Sequence, residues 1–86
     1  MSKFLAYWAA TPDAVKQSMK ELPPKADLGS GIRQYAHYFS GDGKMCCVFE
    51  APNETELRGF LKDKTPNDLY RVDYEWDRAT GKFLGA

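Results

Sequence analysis

HYFSGDGKMCCVFEAP, residues 37–52, places an Asp-Gly turn between two apolar runs and contains the only histidine and both cysteines of the chain. Gly41-Asp42-Gly43 can supply the left-handed backbone that a tight hairpin needs, so we predict a β-hairpin with strands over 32–40 and 44–51. Because neighbouring residues of a strand point to opposite faces, Cys46 and Cys47 cannot both coordinate the same metal ion. We expect both thiols to be free and to act mainly as small packing groups.

Helix and strand signals on both sides of the hairpin complete the pattern. A Thr11-Pro12-Asp13 sequence is typical of a helix start, with Thr11 as the cap, and Asn53 is the predicted cap of a second helix. Alternation of apolar and polar residues over 69–77 predicts a further strand. The predicted segments are strands over 3–10, 32–40, 44–51, 69–77 and 82–84, and helices over 12–22 and 53–64, with a loop over 23–31.

This order of elements predicts one α+β domain over residues 1–86. Strand, helix, strand, strand, helix, strand is the order of the ferredoxin-like split βαβ plan, written βαββαβ. We expect an antiparallel four-stranded sheet with both helices on one face and a short fifth strand over 82–84. The helices leave the other sheet face uncovered, and an uncovered face that carries apolar groups needs a second subunit or a ligand.

The hairpin register decides which side chains reach that uncovered face. A two-residue turn at Asp42-Gly43 would place His37 opposite Val48 and Tyr35 opposite Glu50. A three-residue loop would shift the pairing by one and exchange the two faces. With the two-residue turn, the uncovered face carries Arg33, Tyr35, His37, Phe39, Cys46, Val48 and Glu50, while Ala36, Tyr38, Met45, Cys47 and Phe49 pack under the helices.

Three sets of side chains are candidates for a site. His37 with Tyr35 and Glu50 could exchange protons as a catalytic group, because imidazole titrates near neutral pH. His37, Glu50 and Asp73, with Glu75 beside them, could ligate a divalent transition metal such as nickel. An aromatic content of 14% favours a ligand pocket or an interface, and the ligand-binding candidates are Tyr7, Trp8, Tyr35 and His37.

Charge and hydropathy exclude several classes of partner. The chain has 12 basic and 12 acidic residues, mixed along its length, so no basic surface is predicted to bind nucleic acid or an anionic membrane. The longest apolar stretch, 4–10, is too short to cross a bilayer. Two adjacent cysteines do not make a secreted-type disulfide framework, and we therefore expect a cytoplasmic protein.

Residues 47–52, Cys-Val-Phe-Glu-Ala-Pro, followed by the helix that opens at Asn53, are similar to a junction in a family of small bacterial ferredoxin-like proteins. Members of that family resemble this chain also in the strand over 3–8 and in Tyr38. The resemblance implies a dimeric α+β barrel, and some members of the family bind nickel.

Three hypotheses of function follow from these observations. The first is a homodimeric or higher homo-oligomeric protein that binds a small molecule or a metal. The second is a small dimeric-barrel enzyme, similar to a monooxygenase or isomerase, with His37 as its acid and base. The third is a protein-interaction module whose aromatic residues only bury interface area.

Overall fold

The computed structural model describes residues 1–22, 24–25 and 27–85. Their elements are two helices and six strands: β1 (Ser2–Trp8), α1 (Asp13–Glu21), β2 (Arg33–Phe39), β3 (Met45–Ala51), α2 (Glu54–Leu61), β4 (Asp68–Val72), β5 (Glu75–Asp77) and β6 (Lys82–Leu84). Neither helix has the length and apolar character needed to span a membrane. The predicted helix stop and loop at 23–31 fall partly outside the description, because Pro23 and Ala26 are not among these residues.

The first four strands form one antiparallel sheet in the order β2-β3-β1-β4, and β5 and β6 form a separate hairpin. An α+β architecture with two helices and a four-stranded antiparallel sheet agrees with the sequence prediction and is compatible with a ferredoxin-like fold. The predicted fifth strand over 82–84 exists, but it pairs with Glu75–Asp77 rather than with the main sheet.

One face of the sheet packs against the helices and forms the core. Every second residue of β1 and β3 is at most 2% exposed, and Val15, Leu57 and Leu61 of the helices are buried against them. The sheet residues of this covered face are Phe4, Ala6, Trp8, Met45, Cys47, Phe49 and Ala51. Their burial confirms the predicted inward position of Met45, Cys47 and Phe49.

The ends of the two helices agree with the sequence prediction at one position and differ from it at two. Thr11 does not cap α1, because its hydroxyl donates to the carbonyl of Gly43 instead. Asn53 does cap α2, since its Oδ1 accepts from the amide of Glu56 at 2.8 Å. The second helix ends at Leu61, three residues before the predicted end at Lys64. The next residue, Lys62, has a φ of 54°, which is not helical.

The hairpin register is shifted from the prediction. The amide of Ser40 donates to the carbonyl of Lys44 at 2.9 Å, so the loop is the three-residue Gly41-Asp42-Gly43, with Gly43 at a φ of 89°. A turn ending in a left-handed glycine is a regular three-residue hairpin connection. Ala36 therefore lies opposite Val48, which is the partner predicted for His37.

A second irregularity moves the far end of β2 by one more residue. The register shifts between Gln34 and Ala36, which leaves Tyr35 as the extra residue of a β-bulge, so that Arg33 rather than Tyr35 lies opposite Glu50. The three-residue loop alone exchanges the faces of four residues, and the bulge returns Arg33 to the side on which it was predicted. Ala36 and Tyr38 are directed away from the helices, while His37 and Phe39 lie on the covered side, against the prediction.

The predicted strand over 69–77 is interrupted. Val72 is the last residue of β4 and pairs with Lys3 of β1, one residue from the start of that strand at Ser2. Residues beyond Val72 have no strand beside them in the main sheet, and a strand without a neighbour leaves its backbone groups unpaired. The chain leaves the sheet at Asp73 and re-enters an extended conformation only where β6 offers a partner.

Candidate functional site

The sheet face that the helices leave uncovered, the open face, has a regular arrangement of side chains. The observed register aligns them in three rows across β2, β3, β1 and β4. The row nearest the hairpin loop is Tyr38, Cys46, Tyr7 and Asp68; the middle row is Ala36, Val48, Leu5 and Tyr70; the third row is Arg33, Glu50, Lys3 and Val72. The open face is thus apolar in the middle and charged at one end.

Side-chain contacts connect the residues at the charged end of the open face to one another. The phenol of Tyr35 donates to Glu50 Oε1, and the guanidinium of Arg33 lies 5.1 Å from the centre of the Tyr35 ring. Lys3 Nζ lies 2.6 Å from Glu75 Oε1, which ties the β5–β6 hairpin to the sheet. The bulge directs Tyr35 toward Glu50, so the structure brings together two of the three residues proposed as catalytic.

The hydrogen bonds at this end keep two of its groups protonated. The hydrogen bond to Glu50 raises the pKa of Tyr35, so the phenol keeps its proton at neutral pH. The hydrogen bond to Glu75 likewise raises the pKa of Lys3, which stays a cation. Neither group is held in a form that would accept a proton from a substrate at neutral pH.

His37 lies on the covered side, apart from Glu50. Its Nδ1 is 3.1 Å from Cys47 Sγ and 3.4 Å from Gln34 Nε2. Burial lowers the pKa of His37 and raises the pKa of Cys47 to about 12, so a neutral imidazole faces a protonated thiol. An activated cysteine would need the opposite charge state, thiolate beside imidazolium.

Of the proposed metal ligands, Glu50, Asp73 and Glu75 border one recess, but His37 lies on the other side of the sheet. His37 faces the helices and Glu50 the open face, while Asp73 follows β4 and accepts from Arg71 Nε at 2.8 Å. Within residues 1–22, 24–25 and 27–85, no group of three or more His, Cys, Asp or Glu side chains is arranged to hold a metal ion. The contacts of Asp73 and Glu75 are with Arg71 and Lys3.

The proposed ligand-binding residues divide between the two faces. Tyr7 and Tyr35 border the open face, whereas Trp8 is 2% exposed and lies in the core with Phe4. Tyr35 and His37 line a cavity of about 360 Å³ between β2, the end of α1 and the segment that follows it. Tyr7 and Trp8 do not line this cavity, so it does not gather the four residues.

Two features of the surface were missed by the sequence reasoning. The first is a groove between the helices, whose residues read from sequence as ordinary core positions. The second is the aromatic surface of the β5–β6 hairpin, where the Phe83 ring packs edge-on against Tyr74 and Trp76 at centroid distances of 5.4 and 5.0 Å. The Thr80-Gly81 turn between two aromatic segments indicates this hairpin in the sequence. The alternation over 69–77 instead favoured a single strand over those residues.

The chain matches no protein-family model, no curated protein and no solved structure. Its site can therefore be interpreted only from its own residues.

Proposed function

We propose that the protein is a homodimeric binding protein with a ferredoxin-like βαββαβ domain, in which the open face of one copy packs against that of another. The element order up to β4 and the strand order β2-β3-β1-β4 support the fold assignment. The resemblance of residues 47–52 to small dimeric α+β barrel proteins supports the same arrangement. The proposal assigns binding rather than catalysis, because His37 and Glu50 face opposite sides of the sheet.

The observation that carries the proposal is the middle row of the open face. Leu5, at the centre of this row, is 37% exposed, and Tyr70 beside it is 58% exposed. Tyr38, in the adjoining row, is 66% exposed. Contiguous apolar surface of this kind on a sheet is typical of an interface, because water contact with it is unfavourable and the helices shield only the other side.

An interface with a second copy needs more area than the open face of the sheet provides alone. Four strands about 4.8 Å apart and about 20 Å long make a footprint of roughly 400 Å². A stable interface buries about 800 Å² on each partner, so the sheet alone falls short. The exposed rings of Tyr74, Trp76 and Phe83 on the β5–β6 hairpin extend the apolar surface beyond the sheet edge and supply further area.

The charges of the open face suit pairing with itself. Arg33 and Lys3 lie in the same row as Glu50, so this end carries both signs. In a two-fold interface the same patch meets itself, and a patch with both signs can meet its copy without like-charge repulsion. The recess of about 340 Å³ beside Lys3, Glu50 and Tyr74 would lie at the border of such an interface and could admit a small polar ligand.

Light scattering coupled to size-exclusion chromatography tests the proposal. The wild-type protein is expected at twice the 9.7 kDa mass of the chain, or at a higher multiple. Leu5→Glu puts a carboxylate in the centre of the open face of each copy and is expected to give a monomer, because burying that charge unpaired is unfavourable. Thr55→Glu, on the exposed first turn of α2, adds the same charge away from the face and should leave the mass unchanged.

Two results would contradict the proposal. One is a wild-type mass of one chain at millimolar concentration. The other is a Leu5→Glu variant that keeps the wild-type mass, which would show that the copies associate through another surface. Far-ultraviolet circular dichroism of each variant controls for loss of the fold.

A further inference from the structure

A groove between the two helices reaches the sheet on the covered side. It encloses about 230 Å³, and its lining is mostly apolar. The residues at its base and walls include Trp8 and Phe49 of the sheet, Val15 and Met19 of α1, and Phe60 and Leu61 of α2. The helices thus do not close over the sheet between them, and apolar side chains border an open space.

The groove adjoins the cavity beside His37. Met19, Leu22 and Gln34 line both, so the space continues along the end of α1 toward the edge strand β2. Together the two cavities reach the size of typical small-molecule sites, about 300–1,000 Å³. Apolar walls with a few polar groups at defined places are the usual composition of such sites.

One of these polar groups is unsatisfied. Trp8 lines the groove, and its buried indole Nε1 has no hydrogen-bond partner among the described residues. Buried tryptophans usually find a partner. In contrast, the Trp8 indole N–H lacks a protein acceptor in the described part of the chain, although its nitrogen is buried rather than open to the groove.

Two lysines border the same groove. Lys62 and Lys64 line it, and neither forms an ion pair in the described part of the chain. Glu21 also lines it, but its carboxylate accepts from Gln17 Nε2 at 3.0 Å along α1. The two cations outnumber this single anion, so the border of the groove favours a negatively charged group.

Lys62 occupies a backbone conformation that suits glycine. Its φ is 54° and its ψ is −117°, and the amide of Lys64 donates to the carbonyl of Leu61 at 2.9 Å across it. Such a conformation is unfavourable for a side chain with a Cβ and is found most often where function requires it. Glycine would make the turn without strain, but only lysine adds a cation at the groove.

We propose that the groove binds an anionic amphiphile, a molecule with a slender apolar body and a carboxylate-like head. The apolar body lies between the helices against Trp8 and Phe49, and the head lies within reach of Lys62 and Lys64. The groove lies on the face opposite the proposed dimer contact, so this site does not depend on self-association.

Decanoate is a suitable probe, and the indole of Trp8 is the reporter. A Trp76→Phe background leaves Trp8 as the only indole, which gives one side-chain N–H peak in a ¹⁵N-¹H correlation spectrum. Titration with decanoate below its micelle concentration is expected to move this peak in a saturable way, because the alkyl chain packs against the indole ring. Decanol, which lacks the charge, should bind more weakly by about tenfold or more.

A pair of matched double variants tests the lysines. Lys62→Gly with Lys64→Gln removes both cations and relieves the strained turn, and is expected to weaken decanoate binding by about tenfold or more. Lys16→Gln with Lys20→Gln removes the same charge from α1 positions that do not line the groove, and should bind as the parent does. The first variant should also unfold at a higher temperature than the parent, which excludes loss of the fold as the reason for weak binding.

Three results would overturn the proposal: an indole peak that decanoate does not move, equal binding of decanol, or equal binding by the two double variants. A peak that moves with protein concentration alone would show that a second copy fills the groove, and would overturn it as well.

Discussion

Both faces of the main sheet carry apolar side chains, but their central residues differ sharply in burial. On the covered face, Phe4, Cys47 and Phe49 are at most 1% exposed, whereas Leu5 and Tyr70 on the open face are 37% and 58% exposed. The difference comes from the helices alone, because α1 and α2 pack on one side. Apolar alternation along a strand therefore identifies two faces without telling which is the core, and a second apolar face indicates a partner.

The largest expected effect is a difference in stability between variants with a substitution on the covered face and variants with one on the open face. Phe49→Ala should lower the free energy of unfolding by about 3–5 kcal/mol, because it leaves a cavity in the core. Tyr38→Ala on the open face should lower it by less than about 1 kcal/mol, since the side chain is 66% exposed. Urea unfolding of dilute protein, where self-association is negligible, measures both values. Similar losses for the two variants would mean that the open face is part of the core of a single chain.

Residues of β1 and β3 show how much of this difference could be predicted from sequence. The inward position of Met45, Cys47 and Phe49 follows from the alternation of β3, because a strand between two neighbours has little freedom to slip without exposing its core side chains. The two helices, the first three strands, the second helix cap at Asn53 and the strand over 82–84 were also predictable. Each of these depends on local chemistry within a few residues.

The side of the sheet on which His37 lies could not be predicted, because it depends on the number of residues in the hairpin loop rather than on their type. Gly43 takes a positive φ in the observed three-residue loop, and a two-residue Asp42-Gly43 turn would require the same of it. The bulge at Tyr35 has no sequence signal either, since tyrosine is an ordinary strand residue. The difference of one residue in the loop is enough to separate His37 from Glu50.

A smaller effect concerns the titration of His37, the only histidine of the chain. Burial lowers its pKa below the usual 6.5, so the folded state resists protonation that the unfolded state accepts. The contribution of neutral His37 to stability is therefore fully present above pH 6.5. It is lost as the pH falls from 6.5 through the folded pKa, and the free energy of unfolding decreases by at most about 1.4 kcal/mol per pH unit. Removing the histidine should remove this part of the pH dependence.

Proton NMR of the imidazole Cε1–H measures the folded pKa directly, and comparison of wild type with His37→Gln by urea unfolding at several pH values measures the linkage. A midpoint at or above 6.5 would contradict the burial of His37 beside Cys47. It would instead agree with a histidine on the open face, as the two-residue turn predicts.

The adjacent cysteines give the most direct test that a second copy covers the open face. Cys46 lies on that face and is half-buried, while Cys47 is buried under the helices. In a Cys47→Ala variant, the rate of Cys46 alkylation by iodoacetamide is measured from micromolar to millimolar protein. We expect the rate to fall as the protein concentration rises, and to stay constant when Leu5→Glu is added. A rate that is independent of concentration in both proteins would contradict the pairing of open faces.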